Sequence, residues 1–268
     1  VIVKDREGND QVLSGNQIGM LITYYLLKAM KEEGIVPENG VVIKTIVTTE
    51  SVRNIADDFG VELLDVLTGF KYIGEKIEEY SETKEKTFIF GFEESFGFLA
   101  GTFVRDKDAV VAAMILCEIA TYYKMKGKTL YDALVEIYEK YGFFQEDIQS
   151  FTLAGKDGQE KIEKCIDYFR KNTLTEIGGV QTLSKEDYLE RTSLDIRSEK
   201  ETPITLPSSN VIKYTLEDES WFVVRPSGTE PKMKAYMAVK GSSLEDSKAR
   251  VESFKKEIIA IVNKGFED

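Results

Sequence analysis

Between residues 40 and 95, three short runs rich in β-branched and aromatic residues (40–49, 61–67 and 87–95) alternate with two stretches whose apolar residues return at helical spacing. Strands that succeed one another through intervening helices are joined by crossovers, so this part of the chain must lay parallel strands side by side with helices packed on the sheet. The punctuation agrees: Ser51 stands at the start of the first of these helices as its N-cap, and Gly60 stands just past its end. Upstream, residues 1–3 and 11–13 flank a polar, turn-rich segment and read as a hairpin, and a helix runs from residue 18 to a C-cap at Gly34. Downstream, residues 107–127 and 129–142 read as two more helices. Together these segments describe a layered α/β domain.

The pattern changes near Gly142. One strand and an amphipathic helix (residues 158–172) follow; residues 174–209 are polar, carry Pro203 and Pro207, and read as loops with short elements, part of them flexible. Three strands between residues 210 and 241 and a closing helix complete a smaller α+β domain, an antiparallel sheet with two helices on one face. Three segments result: 1–14, 15–142 and 143–268.

The net charge is −12 and the pI about 4.8. An acidic surface argues against nucleic acid and against an anionic membrane, and no run is long and apolar enough to span a bilayer. An acidic protein that handles an anion must gather its cations locally, so the basic loops carry the information. With no histidine in 268 residues, Ser-His-Asp machinery, Cys-His pairs and histidine metal sites are excluded. Cys117 and Cys165 have no partner at metal-ligand spacing and sit in helix-like apolar runs, so both read as buried free thiols, in keeping with a reducing cytoplasm.

Four loops combine groups with chemical potential. Arg225-Pro226-Ser227-Gly228-Thr229-Glu230-Pro231 joins two strands; it offers a guanidinium fork, two hydroxyls and a glycine that would let backbone N–H groups form a nest, with Lys232 and Lys234 on one face of the next strand. The same residues are also ordinary turn chemistry. Gly91-Phe92-Glu93-Glu94-Ser95-Phe96-Gly97 ends a very apolar strand, at the sheet edge where α/β proteins bind ligands. Glu93 and Ser95 are two apart and in extended chain would point the same way, a fit to adjacent sugar hydroxyls; a solvated acidic turn or a general acid/base pair are the other readings. Thr68-Gly69-Phe70-Lys71 opens a helix after a strand, either an anion site or a plain helix start. Arg105-Asp106-Lys107-Asp108 precedes the long helix, with Asp108 as N-cap or the run as exposed charge.

In this order, LSGNQIG near the start, TGFK, GFEES, RDKD and RPSGTEP resemble the α-D-phosphohexomutase superfamily, and the resemblance covers essentially the whole chain. It implies a three-layer, mixed-sheet α/β domain (the family's domain 3, residues 15–142) followed by the antiparallel α+β domain 4 (residues 143–268), with 1–14 as the tail of domain 2. The family's phosphoserine loop and its Asp-rich Mg²⁺ loop do not occur here. The resemblance therefore implies a chain cut just behind the metal loop, lacking domains 1 and 2 and inactive alone; a stand-alone sugar-phosphate-binding module is the rival reading. Residue by residue it implies that Glu93 and Ser95 clamp sugar hydroxyls and that Arg225, Ser227, Gly228 and Thr229 grip the distal phosphate with Lys234 in support. Thr68, Gly69 and Lys71 contact substrate, and Lys107 stands near the reacting hydroxyl and assists proton transfer. The implied reaction moves a phosphoryl group between C1 and C6 of a hexose through glucose 1,6-bisphosphate, with Mg²⁺ bound by the absent part. Paired glutamates resemble the glucose-type branch; mannose- and pentose-type mutases stay open.

Overall fold

The chain opens with a small antiparallel hairpin, β1 (Ile2–Lys4) and β2 (Asp10–Val12), and then enters α1 (Gly15–Glu32), where Ser14 and Gln17 form a reciprocal capping box. The structure, a computed structural model, describes residues 1–153, 155–228 and 230–267. It divides into two units, the first ending at Gly142 and the second starting at Phe143.

In the first unit the β-branched runs pair as their spacing requires. β3 (Gly40–Thr45) lies between β4 (Glu62–Val66) and β5 (Thr87–Glu93), parallel to both, and is buried along its whole length. A strand that the sequence reading did not separate, β6 (Gly97–Ala100), returns antiparallel to β5 and makes the sheet mixed. The crossovers are α2 (Ser51–Phe59) and α3 (Phe70–Thr83); α4 (Ala109–Met125) and α5 (Leu130–Tyr141) complete the unit. One sheet face, carrying Val41, Ile43 and Leu99, packs on Phe70, Ile73 and Ile77 of α3, while α1 packs on β5. Ser51 is the first helical residue of α2 rather than its cap: Glu50 takes the cap position without a side-chain cap bond, because its carboxylate is drawn to Lys44 and Arg53. Gly60 closes α2 in the left-handed conformation as expected.

The register of β5 on β3 slips by one residue at Ile89. Val41 faces Phe88, but Val42 faces Phe90. This β-bulge inverts the alternation for the rest of the strand. Phe88 belongs to the cluster on the α3 face; beyond the bulge Phe90 and Phe92 stack with Phe98 away from that cluster, and Glu93 returns to the α3 side.

The second unit is built on an antiparallel sheet of β7 (Phe143–Thr152), β9 (Val180–Asp187), β10 (Thr192–Asp195), β11 (Lys200–Pro203), β12 (Ile212–Leu216), β13 (Trp221–Pro226) and β14 (Lys232–Gly241), with the short β8 (Glu176–Ile177) paired to β9. α6 (Gly155–Lys171) and α7 (Leu244–Glu267) join one core with Tyr214, Phe222, Val224 and Met237. Residues 174–209 are thus more ordered than their polarity suggested. They supply four strands: β11 is exposed along its whole length, while β9 buries Thr182, Lys185 and Asp187. Cys165 is buried, and burial pushes its thiol up to about 12. Cys117 departs from expectation: α4 is apolar over its first half on every side, but Cys117 shares its exposed stripe with Val110 and Met114 while Ile115 and Ile119 take the core.

Candidate functional site

In the first unit three of the singled-out loops converge on one carboxylate. Glu93 is 6% exposed. Its Oε1 accepts the backbone N–H of Gly69 at 2.9 Å, which ties the end of β5 to the start of α3. Gly69 has φ +125°, a conformation only glycine adopts without strain, and this aims its N–H at the carboxylate. On the other side Gly97, paired with Glu93, leaves room for it: a Cβ there would lie 3.0 Å from Glu93 Oε2 and 3.2 Å from Lys107 Cδ and Phe70 Cδ2. Lys107 therefore runs past the same spot. Its ammonium lies 3.2 Å from Asp106 Oδ1 and 5.7 Å from the Phe70 ring centre, and the side chain is about half exposed. The loop is held by Asp108, which caps α4 through the N–H groups of Val110 and Val111, and by Arg105, which bonds Glu78 on α3. Thr68 adds a hydroxyl whose oxygen is shielded from solvent and has no hydrogen-bond partner among the described residues.

Two residues fall outside this convergence. Ser95 lies exposed in the tight turn between β5 and β6, so it does not share a strand face with Glu93 as extended chain would require. Lys71 is exposed on α3, with its ammonium over the Tyr72 ring at 4.6 Å.

In the second unit Arg225 and Lys234 are directly opposite in the β13–β14 register, and Lys232 alternates with Lys234 on the same strand face. Like charges directly opposite in an antiparallel pair repel, so the arrangement is relieved by an anion. The connecting loop is closed by Ser227 N–H to Lys232 O and Lys232 N–H to Glu230 O, each 2.7 Å. Arg225, Ser227 and Gly228 line a cavity of about 340 Å³ together with Ser209, which the sequence places at the end of a polar loop, and Asn210, which it places at the head of a strand run; neither was singled out as a site residue. Asn210 is fixed by Arg170, whose guanidinium bonds Asn210 Oδ1 and Asp187 Oδ2 at 2.8 Å each. Gly228 does not have the positive φ that a nest needs, and a Cβ on it would meet open space; its smallness leaves the loop uncovered. Thr229, the remaining loop candidate, lies outside the described residues.

No cluster of three or more Asp, Glu, His or Cys side chains is arranged to hold a metal among the described residues, and the carboxylates of Glu50 and Asp65 are committed to Lys44 and Arg53. No helix is long and apolar enough to cross a membrane among the described residues.

Residues 14–141 match the family model described as phosphoglucomutase/phosphomannomutase, alpha/beta/alpha domain III. The chain belongs to the α-D-phosphohexomutase superfamily. Two solved structures share the fold. One is the Paramecium exocytosis-sensitive phosphoprotein pp63/parafusin, a phosphoglucomutase in an open form (TM-score 0.61, 15% identity, 99% of this chain and 43% of that one). The other is the Aspergillus fumigatus N-acetylphosphoglucosamine mutase in complex with GlcNAc-6P and magnesium (TM-score 0.51, 12% identity, 98% of this chain and 46% of that one). Within the superfamily the sequence is similar to phosphoglucomutases: it is 38% identical over 239 residues to the phosphoglucomutase of Staphylococcus epidermidis, covering 89% of this chain. The chain spans 42% of that relative's length.

Proposed function

We propose that this chain provides the sugar- and phosphate-binding part of a phosphoglucomutase, an isomerase that interconverts glucose 1-phosphate and glucose 6-phosphate through a phosphoserine and a bisphosphate. The observation that carries the reading is the convergence of three loops, separated in sequence, on the buried carboxylate of Glu93. A carboxylate fixed by a backbone N–H is a rigid acceptor for sugar hydroxyls, with Ser95 in the adjoining turn and Thr68 and Gly69 beside it. Lys107, about half exposed at the same spot, is suited to hold or pass the proton of the reacting hydroxyl. Arg225, Ser227, Gly228 and Thr229 grip the phosphate that does not react, with Lys234 opposite Arg225. Lys71 sits further out and meets substrate only at the margin.

Phosphoryl transfer depends on positioning and charge neutralisation, so binding residues bear directly on rate. The magnesium seen with the Aspergillus relative finds no donor set among these residues, and we assign its binding, like the phosphoserine, to a part of the full-length enzyme that this chain does not span. The protein working on free phosphosugars is placed in the cytoplasm. On this reading the chain alone binds phosphosugars weakly and turns nothing over.

The test is an amide NMR titration with glucose 1-phosphate, compared with ribose 5-phosphate and inorganic phosphate. Shifts at both Glu93–Ser95 and Arg225–Gly228, larger for glucose 1-phosphate, are expected. Equal shifts for all three confined to the Arg225 loop would remove the sugar assignment, and turnover by the chain alone would contradict the division of labour.

A further inference from the structure

Behind the Glu93 turn, on β3 and the loop that follows it, lies a polar cluster that the proposed chemistry does not use. Lys44 is completely buried. It faces Asp65 across the β3–β4 pair, with its ammonium 2.6 Å from Asp65 Oδ1 and 3.0 Å from Glu50 Oε1. Arg53 bonds both carboxylates from the other side, through Nε to Glu50 and Nη2 to Asp65. Burial alone would lower the Lys44 pKa, but Asp65 and Glu50 outweigh it and hold the ammonium charged, above its usual value.

The same ammonium reaches the carbonyl oxygens of Thr45 and Thr48 at 3.4 and 3.3 Å, and so pins the loop that leaves β3. The two threonine hydroxyls, both fully buried, bond each other at 2.8 Å. Both also face one oxygen of Glu94, at 3.5 and 3.4 Å. Glu94 follows Glu93 and precedes Ser95. Its carbonyl is approached so closely by α1 that a Cβ on Gly15 would lie 2.0 Å from it. The neighbouring Asn16 accepts the Thr49 N–H at 3.2 Å and joins α1 to the same loop.

We infer that Thr45 and Thr48, braced by Lys44, are positioning residues for sugar recognition: they hold Glu94 and thereby set the turn that carries Glu93 and Ser95. The second glutamate of the pair is then a strut, and only the first faces the sugar. This rests on the proposed sugar site. Each hydroxyl–carboxylate contact is long, and because one hydroxyl donates to the other, one proton at a time is left for Glu94; the effect comes from this hydrogen-bonded pair within a braced loop, with several ties sharing the work.

Because Lys44→Met leaves Arg53 to balance both Glu50 and Asp65 and endangers folding, the test uses the threonines in the 268-residue chain. Thr48→Val keeps the shape and removes the hydroxyl; Thr48→Ser keeps the hydroxyl. Amide NMR titrations with glucose 1-phosphate and with inorganic phosphate are compared. Thr48→Val should weaken glucose 1-phosphate binding about three- to tenfold and leave inorganic phosphate affinity unchanged, while Thr48→Ser stays near wild type. Equal weakening of both ligands, an unchanged glucose 1-phosphate affinity, or a Thr48→Ser variant as impaired as Thr48→Val would each overturn the inference. If the wild-type Glu93–Ser95 amides do not respond to glucose 1-phosphate at all, the sugar site itself is wrong and the inference falls with it.

Discussion

The two candidate sites are built by opposite means. In the first unit a buried carboxylate is locked between a backbone N–H and a glycine with no spare volume, and each neighbouring group is tied to a different helix or strand. In the second unit the groups are set by strand register alone: Arg225 and Lys234 face each other without needing a tight neighbour, and Gly228 borders open space. A site of the first kind discriminates, because a ligand that does not match leaves buried polar groups unpaired. A site of the second kind tolerates, because charge and hydroxyls can follow a phosphate through small shifts. On the proposed function, an intermediate that must be held from either end needs both behaviours, and the two candidate sites lie in separate units.

Four experiments would break or sharpen this contrast. The largest effect is expected from inserting one residue between Phe90 and Gly91, beyond the bulge. Glu93 would then have to leave the α3 side and Phe92 its stack, so the sugar response should vanish and urea denaturation should show a loss of about 3–5 kcal/mol, whereas deleting Ile89, which takes no pairing position, should keep the sugar response. Next, Gly69→Ala places a side chain at φ +125° and disturbs the N–H to Glu93; a loss of about 1–3 kcal/mol is expected by the same assay, with glucose 1-phosphate affinity falling as well. The counterpart in the second unit, Gly228→Ala, meets open space and should stay within about 0.5 kcal/mol of wild type. An equal cost at both glycines would erase the distinction.

The smallest effect concerns the margin of the first unit, where Arg6 reaches Asp132 at 2.8 Å. Burial raises the Asp132 pKa, but the Thr129 N–H and Arg6 outweigh it, and the carboxyl is held below its usual value. A depressed carboxylate stabilises the fold above its unfolded pKa and ceases to do so as pH falls through the folded one. Hydrogen exchange in the β1–β2 hairpin should therefore accelerate below about pH 4, and Arg6→Ala should flatten that dependence. Acceleration unaffected by Arg6→Ala would place the acid sensitivity elsewhere.

Much of this was legible in the sequence, for identifiable reasons. β-branched runs separated by capped helices leave few topologies open, and motifs such as GFEES and RPSGTEP sit at strand ends, where backbone geometry exposes them. What escaped depended on single-residue events or on partners far along the chain. The bulge at Ile89 leaves no compositional trace, and the alternation that put Glu93 with Ser95 was counted without the turn that ends β5 at Glu93. Ser51 looked like a cap, but Glu50 was committed to Lys44, six residues earlier. The Lys44 cluster itself read as an ordinary buried strand with one odd lysine. Cys117 was judged by its apolar neighbours, whereas a helix start that is apolar on every side does not announce which stripe faces out.

The extra residue in β5 is slack in a count: Phe88 and Glu93 are five residues apart yet share a face, because Ile89 takes no pairing position. Loss of Ile89 would close the bulge and leave both side chains where they are, so the position tolerates substitution and deletion alike at a cost in packing only. A residue gained or lost between Phe90 and Glu93 meets no such slack and turns the carboxylate to the opposite face. In sequence evolution the length of that short stretch is what must be kept, and alignments that place gaps freely there would misread it.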